Sequence, residues 1–468
     1  APVAAPVAAP VAAPVAAPVA APGPVACRQD CGTSIQSRDT DYYEWLLYAL
    51  QTIELTRVSE VHTLNHLVEL VPFRMAVNST LGRFAVLHTE MMHSGSTIRT
   101  DVTYQANDLV RLVNSIDERD HLLYTQLDVS IPVYFVLDNT LSDKTVLHVV
   151  YNHAILDGTS MAWILEYLFA VYGNLSKRHT AVLLPIPYEK TTFVVTNKST
   201  VIDQQSKRPS IVDSMLFATK NLYQERNWLW RHNENIGNRS DDHRIVHLTL
   251  DCLPALKSTS VRNGCSVANM IQAVVCKSIF GVQSGKTLSV KMMTVCDWRQ
   301  VAGIRVSQWS FGALFTQNNL ILRTSRDDVT RTTLEHISGS FREQTRLNRS
   351  IHHILCLEDM IRMFAWIFGC FFRVMSFFGS WFWSRLFRWD SVNDMIVMVN
   401  DLGTHQPAWC QDQMDVRFLH QHLRVPYLHV YHFVQDGQLH LSISSNLDTT
   451  DQLCKATHDI MTGLVVMD

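Results

Sequence analysis

His153, Asp157 and Gly158 are the residues whose types and spacing could do chemistry. They lie in the run TVLHVVYNHAILDGTSMAWILEYLFAVY, Thr145 to Tyr172. A neutral imidazole accepts a proton near pH 7, so His153 could deprotonate a hydroxyl or amine as it attacks an acyl carbon. Asp157, four residues on, suggests the orienting carboxylate of a triad. That offset, spent in a turn, also lets its side chain point away from the imidazole and bind a distant cation. Gly158 permits a sharp turn of the backbone and leaves room for a thioester to approach. A histidine in isolation is more often a satisfied core residue, so the flanking elements must decide.

Those elements are a hairpin and a helix. Val146 to Tyr151 is a β-rich apolar run, and from Thr159 the apolar spacing becomes helical. Ser130 to Leu137 reads as a strand, with Asp138-Asn139 starting the turn back into Thr145. Upstream, Tyr42 to Leu55 has helical spacing. Phe84 to Thr89 and Ile98 to Tyr104 read as strands, and Val110 to Ile116 as a short helix or strand. Downstream, Ile245 to Leu250 reads as a strand and Pro254 to Asn263 as a short helix. A longer helix, with Ser266 as its cap, runs to Phe280. Leu288 to Val295 is a strand ending in Cys296-Asp297-Trp298-Arg299, and Phe311 to Phe315 is a strand containing a glycine. An apolar strand ends in Asn400-Asp401-Leu402-Gly403. A hairpin follows, turning at Asp436-Gly437, and then a helix from Thr450 to about Val465.

HAILDG, His153 to Gly158, resembles the HxxxDG motif of the chloramphenicol-acetyltransferase-like acyltransferases. The chain looks nearest to the branch of the alcohol O-acetyltransferases and polyketide-associated acyltransferases, and its order of elements from about Asp39 to Asp468 resembles theirs. The resemblance implies an α/β fold of two similar sandwich halves with an active-site tunnel between them. It implies His153 as general base, with Asp157 in a structural ion pair to an arginine of the second half, for which Arg299 is the matching position. Family strands that end in Ser-Asn-Leu-Gly have Asn400-Asp401-Leu402-Gly403 as their counterpart. Asn400 is thus the candidate oxyanion donor or acceptor-side contact. Asn152 replaces the first histidine of the commoner H-H-x-x-x-D-G form, which weakens a condensation-domain or wax-ester-synthase assignment. The absence of a D-F-G-W-G segment argues against the plant-type branch.

The implied reaction is transfer of an acyl group from a CoA thioester to an alcohol, with acyl-CoA as co-substrate and no permanently bound cofactor. Two rivals stand beside it. One is a carrier-protein-dependent acyltransferase or condensation-type domain of a biosynthetic assembly, which the Ala-Pro leader would suit. The other is a degenerate, non-catalytic member with a binding role, motivated by Asn152 and the altered Asn400-Asp401.

With 468 residues, 47% of them apolar and 18% charged, the chain is core-rich and long enough for two domains. A net charge of −3 gives no electrostatic argument for nucleic acid. The ten cysteines show no C-x-x-C pairing and read as reduced, buried small hydrophobes of an intracellular protein. Among the 21 histidines, His352-His353 and the His429/His432 pair are decoys, and no metal constellation emerges. The expected organisation is a disordered Ala-Pro-Val-rich leader over 1–38 and an N-terminal half over 39–185. A crossover linker over 186–215 and a C-terminal half over 216–468 follow.

The APVA repeat of the leader makes a stiff spacer or tail, which fits a tethered upstream domain. The missing initial Met fits a processed product or a piece of something longer. Residues 363–389 are rich in aromatics, with Arg373, Arg385 and Arg388 interspersed. Their unbroken apolar stretch, Met363 to Phe372, falls short of the roughly 20 residues a spanning helix needs. The segment reads either as buried helices lining an acyl channel or as an interfacial element in peripheral membrane contact. It hints at a lipophilic acceptor. The expected location is the cytoplasm, with or without membrane association.

Overall fold

The run Thr145–Tyr151 is β-branched at Thr145, Val146, Val149 and Val150, and it forms the middle strand of a five-stranded sheet. The computed structural model describes residues 37–39, 57–92, 97–123, 127–177, 236–284, 287–301, 314–328, 333–359, 396–404, 413–421, 427–435 and 437–466, with short stretches and single positions between them. These elements belong to the unit Gln36–Asp468. Residues 1–36 of the expected leader and the aromatic segment 363–389 lie outside the described residues, as does most of the expected linker, whereas Ser37 and Arg38 are strand, paired with Arg99 and Ile98.

The first half comprises β1 (Ser37–Asp39), β2 (Arg57–Leu64), α1 (Leu70–Arg83), β3 (Glu90–Met91), β4 (Thr97–Arg99), α2 (Ala106–Leu109), β5 (Val110–Val113), α3 (Ile116–His121), β6 (Val133–Asp138), β7 (Thr145–Tyr151) and α4 (Gly158–Leu175). The second comprises β8 (Arg239–Leu250), α5 (Leu253–Arg262), α6 (Val267–Val282), β9 (Thr287–Asp297), β10 (Phe315–Ser325), α7 (Leu334–Asn348), β11 (Ile396–Thr404), β12 (Gln413–Gln421), β13 (Tyr427–Gln435), β14 (Gln438–Leu447) and α8 (Thr450–Val466).

The two main sheets repeat one plan. In the first, β5 is parallel to β6, β6 antiparallel to β7, and β7 antiparallel to β2. In the second, β11 is parallel to β13, β13 antiparallel to β14, and β14 antiparallel to β8. A helix follows the hairpin in each: α4 after β6–β7, and α8 after β13–β14. Each half buries its own apolar core. Phe73, Phe135, Leu147, Ile164 and Leu168 lie in the first, and Ile271, Val275, Val290, Val430 and Ile443 in the second. In α4, Met161, Ile164, Leu165, Leu168 and Tyr172 face the core at i, i+3, i+4, i+7 spacing, so the helix is held by that stripe.

Several local expectations change. Phe84 to Thr89 is not a strand; Ala85–His88 is a 3-10 turn. The His88 ring explains it, since Nδ1 bonds Val102 O and Nε2 bonds Leu81 O, both at 2.9 Å, which ties the segment to two non-adjacent stretches. The strand expected over Ile98 to Tyr104 shortens to Thr97–Arg99, because Asp101 turns the chain with φ +64°. Of the two readings open for Val110 to Ile116, strand holds over Val110–Val113. Of Tyr42 to Leu55, only Glu44, Leu47 and Tyr48 are described, and they are helical.

The halves also exchange a strand. β12, late in the sequence, pairs antiparallel with β2 and supplies the edge of the first sheet. Its alternation of Met414, Val416 and Phe418 is the period of a strand, but nothing local names the partner.

Candidate active site

Asn152 builds the turn that carries the histidine. It is buried, its Nδ2 donates to Val129 O at 2.7 Å, and its Oδ1 accepts from Ala154 N at 2.9 Å. Its carbonyl takes the N–H groups of Ile155 and Leu156 at 3.0 and 2.9 Å. The chain therefore curls at the end of β7 and presents His153, half-buried, at the rim of the sheet.

His153 Nδ1 lies 3.0 Å from Leu156 O. A carbonyl only accepts, so Nδ1 carries the proton and Nε2 is the basic nitrogen. Phe315, the first residue of β10, stacks on the imidazole with centroids 4.9 Å apart and planes at 20°. Tyr151 meets it edge-on at 6.1 Å.

Asp157 has a different set of contacts. It caps α4, its Oδ1 accepting from Ser160 N at 2.9 Å and from Ser160 Oγ at 2.7 Å. Arg299 grips it with two nitrogens, Nη1 to Oδ2 at 2.8 Å and Nη2 to Oδ1 at 3.2 Å. Leu314 N donates to Oδ2 at 3.1 Å. Both partners of the ion pair are buried, the side chains 3% and 6% exposed. Burial works against the carboxylate's charge, but the guanidinium and the Ser160 hydrogen bonds outweigh it and hold Asp157 below its ordinary pKa. Burial likewise opposes the charge of Arg299, which Asp157 and Asp297 hold above its ordinary value.

Asp297 completes the junction. Its Oδ1 takes Arg299 N at 2.9 Å and Nη1 at 3.0 Å, and its Oδ2 accepts from Thr159 Oγ1 at 3.0 Å. Trp163 lies under the guanidinium, 5.4 Å from ring centroid to Cζ. The first turn of α4 and the end of β9 are thus bolted together by charge-assisted bonds between the halves.

Gly158 requires a correction. It does not have positive φ, and a Cβ built on it would meet nothing within 4 Å. The turn is made by Asn152 and the Asp157 cap, so it needs no glycine; what Gly158 leaves is open space.

Asn400 lies on β11 opposite Tyr431 of β13. Its side chain hydrogen-bonds Tyr431, whose hydroxyl is pushed above its ordinary pKa by burial despite that bond. Its Oδ1 is buried with no hydrogen-bond partner among the described residues.

The histidine decoys fall elsewhere: His352 Nδ1 faces Cys356 Sγ at 3.7 Å, and His432 Nδ1 lies 3.5 Å from Asp401. Among the described residues no group of three His, Cys, Asp or Glu could hold a metal ion. Ser160, Thr159, Asp297, Leu314 and Phe315 were not singled out by sequence. Ser160 had a signal, since an Asp three residues before a Ser at a helix start is a capping pattern. Phe315 had none, because its partner is 162 positions away.

Known structures share this arrangement of halves. Polyketide synthase associated protein 5 from Mycobacterium tuberculosis aligns with a TM-score of 0.59 at 11% identity, over 91% of this chain and 98% of its own. The trichothecene 15-O-acetyltransferase of Fusarium sporotrichioides aligns with a TM-score of 0.63 at 12% identity, over 92% and 95%. A condensation domain from the Monacolin K polyketide synthase gives 0.56 at 12%, over 93% and 98%. The fold is that of the chloramphenicol-acetyltransferase-like acyltransferases and condensation domains. In this chain the Asp157–Arg299 ion pair joins the two halves. The sequence itself matches no protein-family model and no curated protein.

Proposed function

We propose that the chain is an O-acyltransferase that moves an acyl group from a coenzyme A thioester to an alcohol, with His153 as general base. The observation that carries this is the commitment of His153 Nδ1 to Leu156 O, which leaves Nε2 as the basic atom at the junction of the halves. Nε2 takes the hydroxyl proton while the alkoxide oxygen bonds to the thioester carbonyl carbon. The tetrahedral oxyanion collapses, the carbon–sulfur bond breaks, and the imidazolium returns its proton to the departing thiolate. Asp157 receives no proton in this scheme, since Arg299 occupies it.

Asn400 is assigned to the acceptor side. Among the described residues its Oδ1 has no hydrogen-bond partner, and that atom can accept from a substrate hydroxyl but cannot stabilise an oxyanion. The open space beside Gly158 suits the thioester. A lipophilic acceptor and a peripheral membrane contact rest on the composition of 363–389, which is outside the described residues. Among the described residues no single helix is long and apolar enough to cross a membrane, and cytoplasmic action is proposed with that surface contact.

The test is thiol release and ester formation with acyl-CoA and an alcohol panel, in wild type and His153→Ala. Loss of about 10²–10⁴ in rate with an unchanged melting temperature is expected. Equal rates would sink the catalytic assignment and favour the binding role that Asn152 motivates. The Ala-Pro-Val leader favours a second reading, in which the donor thioester sits on a carrier protein of a biosynthetic assembly. Faster transfer from an acylated carrier protein than from acyl-CoA would establish it.

A further inference from the structure

The geometry points to Phe315 as a positioning residue for His153, set in place by Asp157 through the backbone of Leu314. This rests on His153 being the base. The phenyl and imidazole planes are 20° from parallel at 4.9 Å. The N–H of the preceding residue, Leu314, is shared between Asp157 Oδ2 at 3.1 Å and Gly312 O at 2.9 Å. Gly312 has φ +140°, a conformation that residues with a Cβ rarely adopt, and it bends the chain into this approach. On the other side, Phe315 pairs with Asp297, whose carboxylate is tied to Thr159 and Arg299. The phenyl ring is therefore delivered from two anchored positions. Its backbone belongs to the second half, yet its side chain is 5% exposed and packs within the apolar core of the first.

A hydrogen bond at Nδ1 fixes one atom of an imidazole and does not by itself set the tilt of the ring plane. A flat face pressed on the ring removes the tilt, so bond and stack together set the direction of Nε2. The motif's aspartate thus acts on its histidine at one remove. It grips Leu314 N–H, and the neighbouring ring closes on the base. A displacement of about 1 Å in a reacting group can cost on the order of 10²-fold in rate, so loss of the stack should be felt in turnover.

The experiment compares Phe315→Leu, which keeps apolar bulk without a flat face, with Phe315→Tyr, which keeps the face, in the full chain. Transfer kinetics, melting temperature and the ¹⁵N resonances of the His153 imidazole are measured. For Phe315→Leu the expected result is a fall in kcat of about 10²-fold with both KM values within about twofold. Its imidazole resonances should shift from an Nδ1–H pattern toward an averaged pair. Phe315→Tyr should retain kcat and the wild-type pattern. Wild-type kcat and an unchanged imidazole spectrum in Phe315→Leu would overturn the proposal, as would a loss that merely follows melting temperature in both variants. If His153→Ala transfers as well as wild type, the base assignment fails separately. A spectral change in Phe315→Leu would then still uphold the stack as what orients His153, and an unchanged spectrum would overturn it.

Discussion

The two hairpin–helix units make a natural comparison. In the first, β7 connects to α4 through Asn152–Asp157; in the second, β14 connects to α8 through Asp448–Thr449. Both connections contain an aspartate. Asp448 is exposed and bonds Asn238 at N and Nδ2, within its own half, at 2.8 and 3.1 Å. Asp157 is buried and reaches Arg299 and Leu314 across the junction. The same supersecondary plan therefore closes a half in one place and joins two halves in the other. The longer turn makes the difference, because it has room for His153 and directs the carboxylate outward from its own sheet.

Removing Arg299 should have the largest effect on this contrast. Arg299→Ala leaves the buried Asp157 charge without its cation and should cost about 3–5 kcal/mol of stability, measured by denaturant unfolding. It should also sharply reduce transfer, since Asp157 and Asp297, which anchor Leu314 and Phe315, lose the guanidinium that holds them together. Asp448→Ala should cost only about 1 kcal/mol and leave transfer intact. Equal costs for the two would erase the distinction between a bolt and a local tie.

Acid sharpens the same point. The folded pKa of Asp157 lies below its unfolded value, so the unfolded chain binds the proton more readily. The stabilisation is complete above the ordinary carboxylate pKa of about 3.9, and it is lost as pH falls through the depressed folded value. The stability gap between wild type and Asp157→Asn should accordingly narrow below about pH 4. A gap that stays constant into acid would show that the charge on Asp157 contributes nothing. The smallest effect is expected at Gly158. Gly158→Ala should change stability by no more than about 0.5 kcal/mol, since the new methyl meets nothing, and should raise the KM for the thioester severalfold. An unchanged KM would place the thioester elsewhere.

Much of the first unit could be read from the chain because its signals are local. Val146 to Tyr151 is an apolar, β-branched run as a strand requires, Thr159 onward has a helical stripe, and His153 and Asp157 keep a fixed offset. What escaped is non-local. Phe84 to Thr89 has strand-forming residues but is curled by a histidine that bonds residues on either side of it. Phe315 is brought to His153 by contacts far off in sequence, Leu314 N to Asp157 and the pairing of Phe315 with Asp297. Gly158 reads as a backbone requirement, whereas the turn's conformation is set by the side chain of Asn152, a residue that only the resemblance singles out, as a departure from the commoner motif.

The exchanged strand has a consequence for the order in which the molecule is made. β2 leaves the ribosome early, but its edge partner β12 is synthesised only after seven other elements of the second half, from β8 to β11. Until then the first sheet presents a row of unpaired amides and carbonyls, the surface on which nascent chains stick to one another. Closing it joins residues 57–64 to 413–421, a contact of very long sequence separation, and such contacts slow folding. Dependence on chaperones should therefore end when β12 docks, rather than when the His153 hairpin forms, and the first half expressed alone should aggregate through β2.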